Sequence, residues 1–107
     1  MAKTQSVQFE IEKFNGKNNF EIWKVKMYDL LVQQGVAKAL LGKSKQPYTM
    51  TNDEWSELDE RALSNIRLCL ADDVFFNIVL EKNAAGLWTK LEKLYMEKSL
   101  TNRNLLK

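Results

Sequence analysis

The chain has 107 residues, 45% hydrophobic and 28% charged, and its 16 basic and 14 acidic residues leave a formal net charge of +2. These values are typical of one globular domain. One cysteine and no histidine exclude an internal disulfide, a zinc site with about four Cys or His ligands, and a nucleophile activated by histidine. We therefore expect no metal, no cofactor and no enzymatic activity.

Targeting signals are not evident in the sequence. No apolar run approaches the roughly 18 residues of a membrane span, and the first residues lack the apolar segment of a secretory signal. We expect a cytoplasmic protein that makes no contact with a membrane.

Charge is distributed unevenly along the chain. Residues 1–50 carry eight lysines against four acidic residues, a net +4, residues 51–81 carry a net −6, and residues 82–107 carry a net +4. Two interpretations stay open: the charged faces are solvated and pair locally, or the acidic middle pairs with the basic ends of another copy. The overall balance is too even for a dedicated nucleic-acid binder, so we expect weak, non-specific RNA contact at most.

The first helix is predicted over residues 18–34. Its apolar residues recur with the spacing of one helix face, and they are Phe20, Trp23, Met27, Leu30 and Leu31. Asn18 is the expected N-cap and Gly35 the expected stop. A shorter apolar segment follows at 36–41, and a glycine and a proline predict a loop over 42–48.

A longer helix is predicted to begin at a capping box formed by Thr51 and Glu54. Its apolar stripe consists of Trp55, Leu58, Ala62, Ile66, Cys69 and Leu70. Asp72 and Asp73 are the expected cap of a helix over 74–80. Asn83 is the expected cap of a last complete helix, whose face consists of Leu87, Trp88, Leu91, Leu94 and Tyr95.

The only strand-like pattern covers residues 6–14, where Val7, Phe9 and Ile11 alternate with polar residues. We therefore predict an all-α fold, a compact orthogonal bundle of about five helices with an extended N-terminal arm. The expected division is an arm over 1–17, a helical domain over 18–99, and the start of a truncated further helix over 100–107. One core is predicted to contain Trp23, Met27, Leu58, Ile66, Leu87, Trp88, Leu91 and Tyr95.

Four stretches of the chain carry a family resemblance. The segment KFNGKNNFEIWKVKMYDLLVQQG, the basic loop before Thr51, MTNDEWSELDERALSNIRLCLADDV and AAGLWTKLEKLYMEKSLTN resemble, in this order and spacing, the Gag region of plant copia-type LTR retrotransposon polyproteins. The resemblance extends from Phe9 to Asn102. It implies the N-terminal lobe of a helical capsid-type domain, which self-associates into virus-like particles and packages element RNA.

The zinc knuckle and the aspartic protease of such polyproteins do not carry over, because the chain has no histidine and no Asp-Ser/Thr-Gly motif. Two functions stay open. The first is a structural Gag domain that contacts other Gag copies. The second is a domesticated, Gag-derived module that binds a peptide or protein segment in a hydrophobic groove.

Candidate contact residues follow from exposed apolar ends and from charge. For protein interaction they are Val7, Phe9, Ile11, Trp23, Glu57, Glu60, Leu100, Leu105 and Leu106. For weak RNA contact they are Lys38, Lys43 and Lys45, although no aromatic residue is interleaved with them for base stacking. Core packing is the default interpretation of Trp23, Trp55 and Trp88, and an inert buried thiol that of Cys69. We expect a weak homo-oligomer.

Overall fold

The computed structural model describes residues 10–96, which fold into four α-helices. These are α1 (Phe20–Gln33), α2 (Asn52–Leu68), α3 (Asp72–Ile78) and α4 (Ala84–Leu91). Two short 3-10 helices, Ala37–Leu41 and Lys43–Lys45, connect α1 to α2, and α4 continues into a π-helical turn at Glu92–Met96. The part of the chain described contains no β-strand. The predicted all-α class is confirmed, and the segment expected at 36–41 is the first 3-10 helix.

Helix α1 begins one residue later than the sequence predicts. Its N-cap is Asn19, whose side chain accepts a hydrogen bond from the amide of Ile22 at 2.9 Å. The side chain of Asn18 is engaged in the preceding turn, where it accepts from the amide of Asn15 and donates to the carbonyl of Lys13, each at 3.0 Å. The helix ends as predicted at Gly35, whose φ of +75° is readily adopted only by glycine.

Helix α2 begins at the predicted capping box. The Thr51 hydroxyl accepts from the Glu54 amide at 3.1 Å, and the Glu54 carboxylate accepts from the Thr51 amide at 2.8 Å. Another carboxylate of this helix, that of Asp59, accepts from the amide of Ala84 at 3.0 Å. Asp59 therefore holds the first turn of α4, beside the predicted cap Asn83, whose side chain accepts from the amide of Gly86.

The expected cap of α3 is wrong. Asp72 and Asp73 are the first two residues of the helix, and the N-cap is Ala71, which makes no side-chain cap. The backbone of Ala71 is already fixed, because its amide donates to the carbonyl of Phe14 at 2.9 Å. The two carboxylates lie at the positive end of the helix dipole, which favours them without a capping hydrogen bond.

The N-terminal arm meets the bundle at Phe14. Its amide donates to the carbonyl of Cys69 at 3.0 Å, and Phe14 forms an isolated parallel bridge with Leu70. Residues 10–13 precede this bridge without regular structure. The strand-like pattern therefore yields a single point of pairing within the described residues, and its first part, residues 6–9, lies outside them.

One core unites the helices. The first 3-10 helix packs against α1, α2 and α4, and α4 packs against α2 and α3. Of the eight predicted core residues, Trp23, Met27, Ile66, Leu87 and Leu91 are buried, whereas Leu58, Trp88 and Tyr95 pack against them from the edge. Aromatic rings cover one end, with Phe14 lying 4.8 Å from Tyr95 and 5.1 Å from Phe20 between ring centroids.

Candidate protein-interaction surface

The solvent-exposed side of α1 carries a second apolar stripe, separate from the one that enters the core. It consists of Val25, Tyr28 and Val32, which are 62%, 47% and 48% exposed. The inner face of the same helix is formed by Phe20, Trp23, Met27 and Leu31, all of them buried. Exposed apolar residues aligned along one helix form a contiguous patch, and such patches mark contact surfaces.

A groove borders this stripe on the side of α4. It has a volume of about 440 Å³, and its walls include Val25, Tyr28, Trp88 and Met96. The salt bridge between Lys24 and Glu92 joins the two helices beside it. Trp88 is only partly buried, and it lines a groove of the kind expected for a partner segment.

A second groove borders the stripe on the other side. It has a volume of about 510 Å³, and Val32 forms part of its wall together with Ile11, Lys26 and Leu30. Ile11, one of the predicted contact residues, packs against the edge of the core here. The outer stripe of α1 is therefore a ridge between two grooves.

A separate apolar patch lies at the end of α3. Phe76, Val79 and Leu80 are exposed, Leu80 at 85%, and their spacing places them on one side of the helix and its following turn. Three carboxylates flank them, those of Asp72, Asp73 and Glu81, against one lysine, Lys82.

Trp23 lies in the core. It is 4% exposed, its indole N–H donates to the carbonyl of Cys69 at 3.2 Å, and its ring centroid lies 6.2 Å from that of Trp88. Only its edge reaches a small cleft of about 150 Å³. The buried ring of Trp23 therefore packs against that of Trp88, which borders the groove.

Two of the other predicted contact residues lie within residues 10–96. Glu57 and Glu60 are exposed on α2. Five residues lie outside the described range, and they are Val7, Phe9, Leu100, Leu105 and Leu106. The sequence reasoning missed the outer stripe of α1, although the spacing of its residues, three and then four apart, is itself a helical signal.

The predicted RNA-contact residues are solvent-exposed. Lys38 is on the first 3-10 helix, and Lys43 and Lys45 are on the second. Gln46 anchors the following loop, since its side-chain amide donates to the carbonyl of Met50 at 2.9 Å and to Asn52 Oδ1 at 3.1 Å. Tyr48 projects from this loop with 99% of its surface exposed. An aromatic ring therefore follows the basic segment, which the sequence reasoning overlooked.

Cys69 is half-buried at the end of α2. Burial raises the pKa of its thiol, and the positive charge of Lys13 counteracts this in part. A raised pKa lowers the thiolate fraction at neutral pH, which makes a thiol less reactive. Among residues 10–96, no group of three His, Cys, Asp or Glu side chains is placed to hold a metal ion.

Comparison with known families decides the class of this helical domain. The family model described as gag-polypeptide of LTR copia-type matches residues 27–107. This chain belongs to the family of copia-type gag polypeptides. The resemblance to plant copia-type Gag regions is confirmed by a relative in Nicotiana tabacum, the retrovirus-related Pol polyprotein from transposon TNT 1-94, which is 54% identical over 101 residues.

The match covers 94% of this chain but 8% of the tobacco polyprotein, so the Gag chain corresponds to a small part of that relative. No solved structure matches it. None of the helices within residues 10–96 combines the length and the apolar character needed to cross a membrane.

Proposed function

We propose that this chain is a structural Gag domain that self-associates during assembly of virus-like particles around element RNA. The observation that carries the proposal is the apolar surface left open on α1 and α3 by a domain whose core is otherwise closed. Isolated apolar residues are common on protein surfaces. Several apolar residues exposed side by side, as on α1 and α3, favour contact with another protein surface.

Charge supports the same function. The acidic segment 51–81 and the basic segments on either side of it allow two copies to approach without general repulsion. Charges of this kind steer the encounter and orient the partners, while apolar contact supplies most of the affinity. The proposal assigns the domain a cytoplasmic location and no catalytic role.

RNA contact is the weaker part of the proposal. Lys38, Lys43 and Lys45 offer positive charge, and Tyr48 offers one exposed ring for base stacking. Affinity that depends on a few phosphate contacts is independent of sequence and falls as salt is added. We expect such behaviour in fluorescence anisotropy with a labelled single-stranded RNA.

Self-association is tested by size-exclusion chromatography with light scattering, from micromolar to millimolar concentration at low and high salt. We expect the average mass to rise with concentration and the rise to be smaller at high salt, because screening weakens the steering charges. A monomer mass at every concentration in low salt would contradict the proposed function.

The groove between α1 and α4 supports a second candidate function, the binding of a peptide or protein segment. Its apolar walls contain Trp88 and Met96, and flexible methionine side chains adapt to different partners. A domain that stays monomeric and binds an amphipathic helical peptide in this groove would favour the second function over the first.

A further inference from the structure

We infer that the outer face of α1 is the docking site for a second copy of this chain, in a two-fold symmetric contact between the two α1 helices. This inference rests on the proposed self-association and names the surface that performs it. The occupant is another copy of the same domain, with α1 against α1.

The spacing of the stripe favours a helix as the partner. Val25, Tyr28 and Val32 are separated by three and four residues, the alternation that keeps a narrow apolar seam facing a second helix. The inner face of α1 already packs on the core, so the seam has no partner within residues 10–96 of its own domain. An unpartnered seam with this spacing fits another helix better than it fits an extended segment.

The shape of the surface is self-complementary. The ridge lies between the groove that contains Trp88 and the groove that contains Ile11. Helices pack by inserting the ridge of one into the groove of the other. A two-fold axis lets each ridge enter a groove of its partner, and the contact then closes at two copies.

The charges beside the seam favour a second copy as the occupant. The exposed charged residues of α1 are Lys26 and Asp29, one of each sign. A partner with a single sign of charge would meet repulsion at half of these positions. A second copy offers the same mixture, so opposite charges can face each other across the axis.

The patch on α3 does not offer this match. Asp72 and Asp73 precede Phe76 by one helical turn, and Glu81 follows Leu80. Two copies that met through this patch would bring up to six carboxylates together, which opposes symmetric pairing. The α3 patch therefore serves as the matched control for the α1 surface.

Sedimentation equilibrium of the full 107-residue chain tests this inference with two variants. Val25→Asp places a charge in the seam, and Leu80→Asp places one in the α3 patch. Both positions are exposed, so we expect both variants to keep the far-ultraviolet circular dichroism of the wild type. Val32→Asp, at another exposed position of the seam, replaces Val25→Asp if that variant unfolds.

We expect a monomer–dimer equilibrium for the wild type, a dissociation constant raised at least tenfold by Val25→Asp, and a change of less than about twofold for Leu80→Asp. Association that survives Val25→Asp, or that is lost with Leu80→Asp, would overturn the inference and leave self-association standing. A wild-type chain that stays monomeric would overturn both.

Discussion

Helices α1 and α2 bury similar inner faces but differ in what they present outward. Along α2, the middle of the outer face is polar or charged, with Glu57, Glu60 and Ser64 exposed. Along α1, the corresponding surface carries Val25, Tyr28 and Val32. A helix with one apolar face belongs at the surface of a domain, whereas apolar residues on two faces indicate a second packing partner. We therefore propose that the outer face of α2 faces solvent, whereas the outer face of α1 contacts a second copy.

The largest difference in the free energy of unfolding is expected between substitutions on the two faces of α1. Met27 is fully buried, and Met27→Ala should lower the free energy of unfolding by about 2–5 kcal/mol, because the deletion leaves a cavity. Val25→Ala on the outer face is the matched control and should change it by less than about 1 kcal/mol. Urea unfolding followed by tryptophan fluorescence measures both. Equal losses for the two variants would mean that the outer stripe is part of the core.

The caps provide the next comparison. Thr51→Ala should destabilise α2 by about 0.5–2 kcal/mol, since it removes the acceptor for the Glu54 amide. Asn19→Ala should act similarly on α1, through the amide of Ile22. Asn18→Ala removes the two side-chain hydrogen bonds of the preceding turn instead, so it compares the predicted cap with the observed one, and thermal unfolding ranks the three. An Asn18 variant that reproduced the loss of the Thr51 variant while the Asn19 variant did not would contradict the structural assignment.

Charge reversal on the outer face of α2 should have a smaller effect. Glu57→Lys combined with Glu60→Lys changes exposed side chains, so we expect the free energy of unfolding to move by no more than about 0.5 kcal/mol. The pair contributes to the acidic segment that steers encounter, so association should be slower, with the same dimer mass at saturation. Stopped-flow dilution measures the rate. Loss of the dimer itself would place α2, rather than α1, at the interface.

Cys69 gives the smallest expected effect on stability. Its thiol has an ordinary pKa near 9.0, raised in the folded chain by burial. The folded state therefore holds the thiol proton more tightly than the unfolded state does. The stability that the protonated thiol contributes is complete below the ordinary pKa, and it is lost as the pH rises above that pKa. At pH 8 we expect alkylation by iodoacetamide to be slower in the native chain than in urea. Equal rates would show that the end of α2 is open to solvent.

The sequence was sufficient for the elements that depend on local chemistry. The inner stripes of α1 and α2, the capping box at Thr51 and Glu54, the Asn83 cap and the stop at Gly35 each follow from side-chain chemistry within one or two helical turns. The cap of α3 was not predictable in this way, because the contact that fixes Ala71 comes from Phe14, far away along the chain.

The candidate site was less accessible from sequence. Trp23 and Trp88 both fit an apolar helix face, and only packing decides that Trp23 is enclosed while Trp88 borders a groove. The sequence pattern of α1 assigns one apolar face to the core, and the exposure that makes Val25, Tyr28 and Val32 a second face depends on how the domain packs. Tyr48 was missed because its exposure depends on the turn that Gln46 holds in place.

Cross-linking through the centre of the outer α1 stripe tests most directly whether a second copy covers it. A Cys69→Ala chain carrying Tyr28→Cys has its only thiol in the seam, and one carrying Ser64→Cys has it on the outer face of α2. With a short bismaleimide, we expect covalent dimers from the first chain, in a concentration-dependent reaction that an excess of the cysteine-free Cys69→Ala chain suppresses, and only background from the second. Equal yields from the two chains, or dimers from Ser64→Cys alone, would contradict docking through α1.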